Sequence, residues 1–234
     1  MIAWQGLGYN RSARFLHEMA VVIMEKFDGI FPKEEKELLS LPGIGKYTAR
    51  AVQAFAYGKD VGVIDTNIQR IFSRVFFGAE YLELKQNNIT HKELETCVDH
   101  YVPKGKGDPW NQALMDFGAL VCTSKSPTCD RCPLQTLCNA NKHAQNTHHT
   151  YAEYLKSHSS PKKHLTRIPF KNTDRYFRGR IIDVFRDSPL HMQTLRDHIE
   201  QNHGLQDKKR FGAIIEQLML DKLIVIRGST VSLD

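Results

Sequence analysis

The 234-residue chain reads as mostly α, with a helical domain that ends in a cysteine loop and a small winged-helix-like domain behind it. Three observations predict this. Apolar residues recur at helical rather than alternating spacing up to about residue 170. Four cysteines, Cys122, Cys129, Cys132 and Cys138, fall within seventeen residues as C-x6-C-x2-C-x5-C. Past residue 173, three helical patterns precede two short β-rich runs on either side of Arg227-Gly228-Ser229.

The elements follow in order. Residues 11–27 place Phe15, Met19, Val22 and Ile23 on one helical face, and Gly29 and Pro32 end that helix. Residues 34–40 form a short helix. A second follows over 46–57, with Gly58 at its C-cap position. Asp65 precedes an amphipathic helix over 66–77, which Gly78 stops. Further helices span 91–102 and 108–121, and then the cysteine loop begins. Residues 139–173 are polar and weakly periodic, and they predict a linker ordered at best in part. Helices over 175–186, 192–201 and 207–221 lead to strands over 223–226 and 230–233. Three helices and a hairpin are the order of a winged-helix domain; a three-helix oligomerisation module shares the pattern. The resulting division is 1–140 for the helical domain with its cysteine loop, 141–173 for a basic, His-rich linker, and 174–234 for the winged-helix-like domain.

The balance of 41% hydrophobic and 25% charged residues is that of a soluble globular protein. The apolar runs are too short to cross a bilayer, and residues 1–30 lack the pattern of a secretory signal. A cytoplasmic, reducing compartment is therefore expected, with no membrane partner and no obligate protein partner. Disulfides are rare there. The net charge of +6 and pI near 9.0 fit a polyanion partner. Between Asn139 and Lys171 stand six Lys or Arg against a single acid, Glu153, together with His143, His148, His149, His158 and His164.

Three segments carry chemistry. The four thiols can close around a metal centre, since thiolate is the ligand of both iron–sulfur clusters and structural zinc. Only Cys129 and Cys132 form a C-x2-C pair, which argues against the paired units of zinc knuckles. The fifth cysteine, Cys97, reads as a small buried hydrophobe. Leu41-Pro42-Gly43-Ile44-Gly45-Lys46-Tyr47-Thr48 is a tight turn opening a helix. Gly43 and Gly45 let a backbone come close, the helix start offers free N–H groups, and Lys46 adds charge, so the segment suits a phosphate. It resembles the hairpin of a helix-hairpin-helix DNA-binding motif. Val63-Ile64-Asp65-Thr66-Asn67 delivers Asp65 to a helix start, where Asp is a favoured N-cap and where a carboxylate can also serve chemistry.

Together with Trp4-Gln5-Gly6-Leu7-Gly8-Tyr9 and Asn111-Gln112-Ala113-Leu114-Met115-Asp116, these segments resemble a MutY-type adenine DNA glycosylase over residues 4 to about 140. The resemblance implies base-excision repair on double-stranded DNA containing a mismatch and a [4Fe-4S] cluster on Cys122, Cys129, Cys132 and Cys138. It implies Asp65 as the catalytic carboxylate, Asn67 as support for the reacting sugar and Tyr47 in the base pocket. A carboxylate beside C1′ would stabilise an oxocarbenium-like state, a general acid would protonate the leaving adenine, and the base would be flipped from the duplex. The related endonuclease III enzymes place a lysine at the Tyr47 position. A phenol cannot form a Schiff base, so a monofunctional glycosylase is expected.

The chain also departs from that family. The family's adenine-protonating Glu and its duplex-wedging glutamines precede the Trp-x-Gly-Leu-Gly-Tyr stretch. Glu18, Glu25, Glu34 and Glu35 do not map onto that Glu. With Met1 only three residues before Trp4, the chain reads as an N-terminally truncated member of the family, and as written it implies little or no adenine excision and an exposed apolar face. The 96 residues after Cys138 are too few for the family's Nudix-like domain. In their place Lys208, Lys209 and Arg210 open the helix that winged-helix folds set in the major groove. A T·G mismatch thymine glycosylase and a non-catalytic DNA-binding module are the competing readings.

Overall fold

A computed structural model of the chain describes residues 4, 9–78, 89–146, 151, 154–155 and 168–233. Contacts divide it into two compact units, Phe31–Lys162 on one side and Met1–Ile30 with Lys163–Asp234 on the other. The opening helix, expected in the helical domain, therefore groups with the C-terminal residues.

The unit Phe31–Lys162 holds helices joined by loops, with no strand among its described residues. It contains α2 (Glu35–Leu38), α3 (Lys46–Ala51), α4 (Thr66–Phe72), α5 (His91–His100), α6 (Gly107–Leu120) and α7 (Asn139–Asn146). The helices expected over 46–57 and 66–77 do run that far. Their second halves, Val52–Ala56 and Ser73–Phe77, widen into π turns that no periodicity in the sequence announces. Helix α5 starts on a capping box between Thr90 and Glu93. The core gathers Ile68, Ile71 and Phe72 of α4, Leu94 and Val98 of α5 and Leu114 of α6, with Cys97 half-buried against it. Burial of each large side chain contributes ~1.5–3 kcal/mol. Gly118 lets α4 and α6 approach closely: a Cβ there would stand 2.6 Å from that of Asn67.

Helix α7 corrects the sequence reading, which predicts a weakly ordered linker from residue 139. Its apolar side is only Ala140 and Ala144, both buried, so composition conceals it. Its start is tied down by Asn139 Nδ2, which donates to the Phe76 carbonyl (2.8 Å), and Asn141 Nδ2, which donates to the Gln135 carbonyl (3.3 Å). Tyr151, also buried, packs beside the two alanines. His148, His149, His158, His164, Lys156, Lys162, Lys163 and Arg167 lie outside the described residues, as do Gln5, Gly6, Leu7 and Gly8 of the opening motif.

The other unit contains α1 (Asn10–Lys26), α8 (Asp174–Val184), β1 (Leu190–His191), α9 (Met192–His203), α10 (Lys208–Leu220), β2 (Ile224–Arg227) and β3 (Thr230–Leu233). Helix α1 buries no residue fully and leaves Leu16, Val21 and Met24 exposed. Its Arg14 donates to the Asp221 carbonyl. The sheet has the order β1-β3-β2, with Leu190 opposite Val231 and Arg227 opposite Thr230. Strand β1 is absent from the sequence reading because two residues cannot display alternation. It completes the helix–strand–helix–helix–hairpin order of a winged-helix domain. Strand β2 starts one residue later than expected, because Leu223 turns into the core. That core is built on Phe177, Ile181, Leu195, Ile199, Ile214 and Leu218.

Candidate active site and cysteine cage

Asp65 is the N-cap of α4, with extended backbone and a half-buried side chain. Its Oδ1 accepts from the backbone N–H of Asn67 (2.8 Å) and of Ile68 (2.7 Å). Its Oδ2 accepts from Asn67 Nδ2 (3.0 Å), which leaves that oxygen one further lone pair. Asn67 is held in turn by Arg70, whose Nη2 donates to Asn67 Oδ1 (2.9 Å) and to the Gly118 carbonyl (2.7 Å). Arg70 Nε donates to the carbonyl of Cys122 (2.8 Å). The carboxylate is thus oriented by a helix start on one oxygen and by a side-chain chain on the other.

The strand of backbone that delivers Asp65 is fixed from α6. Asn111 is fully buried; its Oδ1 accepts from Val63 N–H (2.7 Å) and its Nδ2 donates to the carbonyls of Val61 (2.8 Å) and Gly107 (2.7 Å). Asn111 belongs to a segment the sequence singles out, but its role emerges only from the fold. Arg50 of α3, also buried, ties the hairpin helix to the same backbone. It donates to the Gly62 carbonyl and pairs with Asp99, whose Oδ1 accepts from Gly62 N–H (2.8 Å).

The hairpin has the geometry a phosphate needs. Gly43 takes φ +78°, in the left-handed region, and Ile44 N–H closes on the Leu41 carbonyl (3.2 Å). Gly45 caps α3 with no side-chain hydrogen bond, so the amides that open the helix at Lys46, Tyr47 and Thr48 lack a capping side chain. Asp65, by contrast, fills the start of α4. Tyr47 is 48% exposed. The Lys46 ammonium is engaged by Glu95 (2.6 Å), which also meets His91 (3.2 Å), so its charge is shared with α5 rather than left to a ligand. Every hydrogen bond of the Asp65 side chain runs to α4, and none joins it to Tyr47.

Cys122, Cys129, Cys132 and Cys138 are half-buried free thiols, and all four line one small cavity with Arg74 and Tyr151. Among the described residues no three metal-binding side chains group closely enough for a single ion. A polynuclear cluster takes one thiolate per iron and spreads its ligands around its own bulk. Four thiols around one cavity are a donor set that suits a thiolate-ligated metal centre. Burial first, and then the neighbouring Cys122, Cys138 and Cys132, push the Cys129 thiol up to about 11, while Arg74 opposes them. Burial also raises Cys138, countered by the N–H groups of Asn141 and Ala140 at the start of α7. The cage is thus a crowd of would-be anions short of positive charge. A metal supplies such charge by displacing thiol protons.

Arg74 is the residue sequence reasoning misses here. It is 1% exposed, sits in the π turn after α4, and donates to Cys122 Sγ (3.5 Å) and to the carbonyls of Thr123 (2.7 Å) and Ser124 (3.2 Å). Its guanidinium lies 5.2 Å from the centre of the Tyr151 ring. Arginine is usually exposed, so nothing in composition marks this one as internal.

Known proteins share this arrangement of sequence. A helix-hairpin-helix motif matches residues 26–55. The adenine DNA glycosylase of Mycolicibacterium smegmatis is 37% identical over 222 residues, which cover 95% of this chain and 68% of that protein. The adenine DNA glycosylase of Mycobacterium tuberculosis is 32% identical over 95% of this chain and 67% of its own length. A thymine/uracil-DNA glycosylase of Methanothermobacter thermautotrophicus is 38% identical over 56% of this chain and 57% of its own. The solved structure of a thermostable thymine-DNA glycosylase overlays with a TM-score of 0.50 at 37% identity, covering 56% of this chain and 58% of that one. The hairpin and the likeness to adenine DNA glycosylases along nearly the whole chain converge: the chain belongs to the adenine DNA glycosylase family of helix-hairpin-helix base-excision enzymes.

Proposed function

We propose that this glycosylase removes adenine mispaired with guanine or 8-oxoguanine by hydrolysis of the N-glycosidic bond, without lyase activity. The observation that carries the reading is Asp65, a half-buried carboxylate with one oxygen capping α4 and the other held by Asn67 with a lone pair to spare. In this reading the bases of a mismatched duplex are unpaired at low cost and the adenine nucleoside turns out of the stack. The uncapped amides of Lys46, Tyr47 and Thr48, reached past Gly43 and Gly45, hold a backbone phosphate. As the bond to adenine breaks, positive charge grows at C1′, and Asp65 stabilises it from a fixed position. Asn67 keeps the carboxylate aimed while water adds to the sugar. Departure of adenine also requires a proton on the base. Tyr47 flanks the base, and its phenol cannot form a Schiff base.

Cys122, Cys129, Cys132 and Cys138 would hold a [4Fe-4S] cluster. When bound, such a cluster supplies a rigid, redox-capable cross-link among the four thiolates. Arg74 offsets their charge, and Arg70 joins the first of them to Asn67. Residues 174–234 would add duplex contacts through Lys208 and Lys209, both exposed at the start of α10. Arg210 is already committed to Asp174 (2.7 Å) and the Asn172 carbonyl (2.6 Å).

A second reading, excision of thymine from T·G, is favoured by the likeness to thymine glycosylases. A strand-cleavage assay on A·8-oxoguanine, A·G and T·G duplexes, with and without alkali, separates them. Alkali-dependent cleavage at adenine is expected. Cleavage at thymine moves the assignment to the second reading, and cleavage without alkali overturns the monofunctional mechanism. Tight binding with no cleavage leaves a DNA-binding module.

A further inference from the structure

The C-terminal unit holds a cleft of about 460 Å³ that the chemistry above does not use. That size lies within the ~300–1,000 Å³ typical of ligand sites. Its wall is one face of α8, its floor includes Leu218 and Leu223, and the start of α1 closes one side. Five arginines line it against one carboxylate, Asp183. Four of the five have acidic neighbours. Arg178 pairs with Asp221, and Arg11 stands 4.0 Å from it; Arg180 (3.0 Å) and Arg186 pair with Asp183. Arg175 differs. Among the described residues no carboxylate pairs with it. Its guanidinium instead stands over two rings, 4.0 Å from the centre of Tyr9 and 5.9 Å from that of Phe170. Those rings are 66% and 60% exposed, so large apolar faces are left in water at the cleft mouth.

Gly179 adds an independent observation. It lies inside α8, with a helical backbone any residue can adopt, and an added Cβ would meet nothing within 4 Å. Neither backbone conformation nor packing calls for glycine there, and glycine weakens a helix interior relative to alanine. What it does is keep the cleft open.

We propose that this cleft binds a nucleotide unit of single-stranded DNA. The phosphate meets Arg175 and its arginine neighbours, and the base stacks on the exposed rings. An uncompensated guanidinium interleaved with aromatic faces is the pattern that holds single strands without reading sequence. An acidic peptide would use the charge but leave the rings idle. The inference is independent of the reaction at Asp65, because it concerns the other unit and needs no excision.

The test measures binding of the full chain to fluorescein-labelled (dT)8 by anisotropy. Gly179→Leu fills the cleft from an open position. It is expected to weaken (dT)8 binding at least tenfold while the protein melts no lower than wild type. Arg175→Ala should weaken binding similarly and reduce the log–log salt slope by about 0.7, one phosphate on a single strand. Arg175→Lys keeps the charge, loses the planar face, and should restore the slope but not the affinity. An oligonucleotide carrying 5-iodouracil should photocrosslink to Phe170 or Tyr9, located by mass spectrometry. Free dTMP should compete only at more than a hundredfold excess; competition at equal concentration overturns the strand assignment in favour of a free nucleotide. Wild-type affinity in Gly179→Leu with no crosslink in this unit, or equal binding of (Glu)8, overturns the proposal.

Discussion

Asp65 can be a helix cap, a catalytic carboxylate, or both, and two substitutions separate the roles. Asn caps helices about as well as Asp, so Asp65→Asn keeps an acceptor for the N–H groups of Asn67 and Ile68. It loses the bond from Asn67 Nδ2 to Oδ2, because two amide NH₂ groups would then face each other. That loss costs ~1 kcal/mol, or about 2–4 °C in melting temperature for a chain of this size. Asp65→Ala loses the same bond and the cap, together ~2 kcal/mol. The kinetic expectation is ordered differently. Removing a charge aimed at a developing charge costs about 10²–10³ in rate, or ~2.7–4 kcal/mol of barrier, and both variants remove it.

The assay is single-turnover excision from an A·8-oxoguanine duplex, read by alkaline cleavage, with melting curves and a gel-shift titration of the same preparations. Asp65→Asn should bind duplex as wild type does, melt within a few degrees of it, and excise at least a hundredfold more slowly. Excision by Asp65→Asn within tenfold of wild type, with Asp65→Ala slowed only as far as its lower stability explains, would refute a chemical role and leave Asp65 a cap.

Three further outcomes are expected. Asn111→Ala strands the buried Val63 N–H and frees the Val61 and Gly107 carbonyls, so a loss of ~2–4 kcal/mol is expected in chemical denaturation, with excision falling further than folding because the approach to Asp65 loosens. Arg74→Met removes the donors to Thr123 and Ser124 and the cation beside Cys122; iron and acid-labile sulfide per chain should fall together, with a loss of ~2–4 kcal/mol, and full retention of both would sink its role in the cage. His203, which hydrogen-bonds Tyr176 (3.1 Å), is held below its ordinary pKa by burial, then by Arg180 and His198. The unfolded chain therefore takes up a proton near pH 6.5 that the folded unit resists, so stability is intact above that pH and is lost as pH falls below it. Melting of the C-terminal unit between pH 7.5 and 5 should show this fall, and His203→Asn should flatten it.

Features that one short stretch of sequence decides were legible in advance. A cap forms from the residues at its own helix start, so Asp65 before an apolar-periodic run places itself. The hairpin is legible because Gly43 must supply a positive φ locally. Cysteine spacing is legible because four thiols in seventeen residues have few structural uses. The features that stayed hidden are those whose partners lie far along the chain. Arg70 and Arg74 look like the polar face of an amphipathic helix until the loop after Cys122 folds over them, some 50 residues later. Helix α7 was missed for the same reason. Two alanines carry no periodic signal, and the helix stands because Asn139 and Asn141 find distant or non-periodic carbonyls. Strand β1 exists only as a partner to β3, forty residues on.

Those hidden contacts explain why the cysteine loop and the carboxylate belong to one domain. Asn67 has one amide, with its NH₂ committed to Asp65 and its oxygen to Arg70. Arg70 is held in turn, since its Nη2 also donates to the Gly118 carbonyl and its Nε to that of Cys122. A displacement of the Cys122 backbone must therefore either break a charge-assisted bond at Arg70 or pass to Asn67 and so to the second oxygen of Asp65. Glycine at 118 is what admits Asn67 at this place, because a Cβ there would stand 2.6 Å from that of Asn67. Holding the Cys122 backbone in place thus holds the Asp65 carboxylate in aim, through the side chains of Arg70 and Asn67.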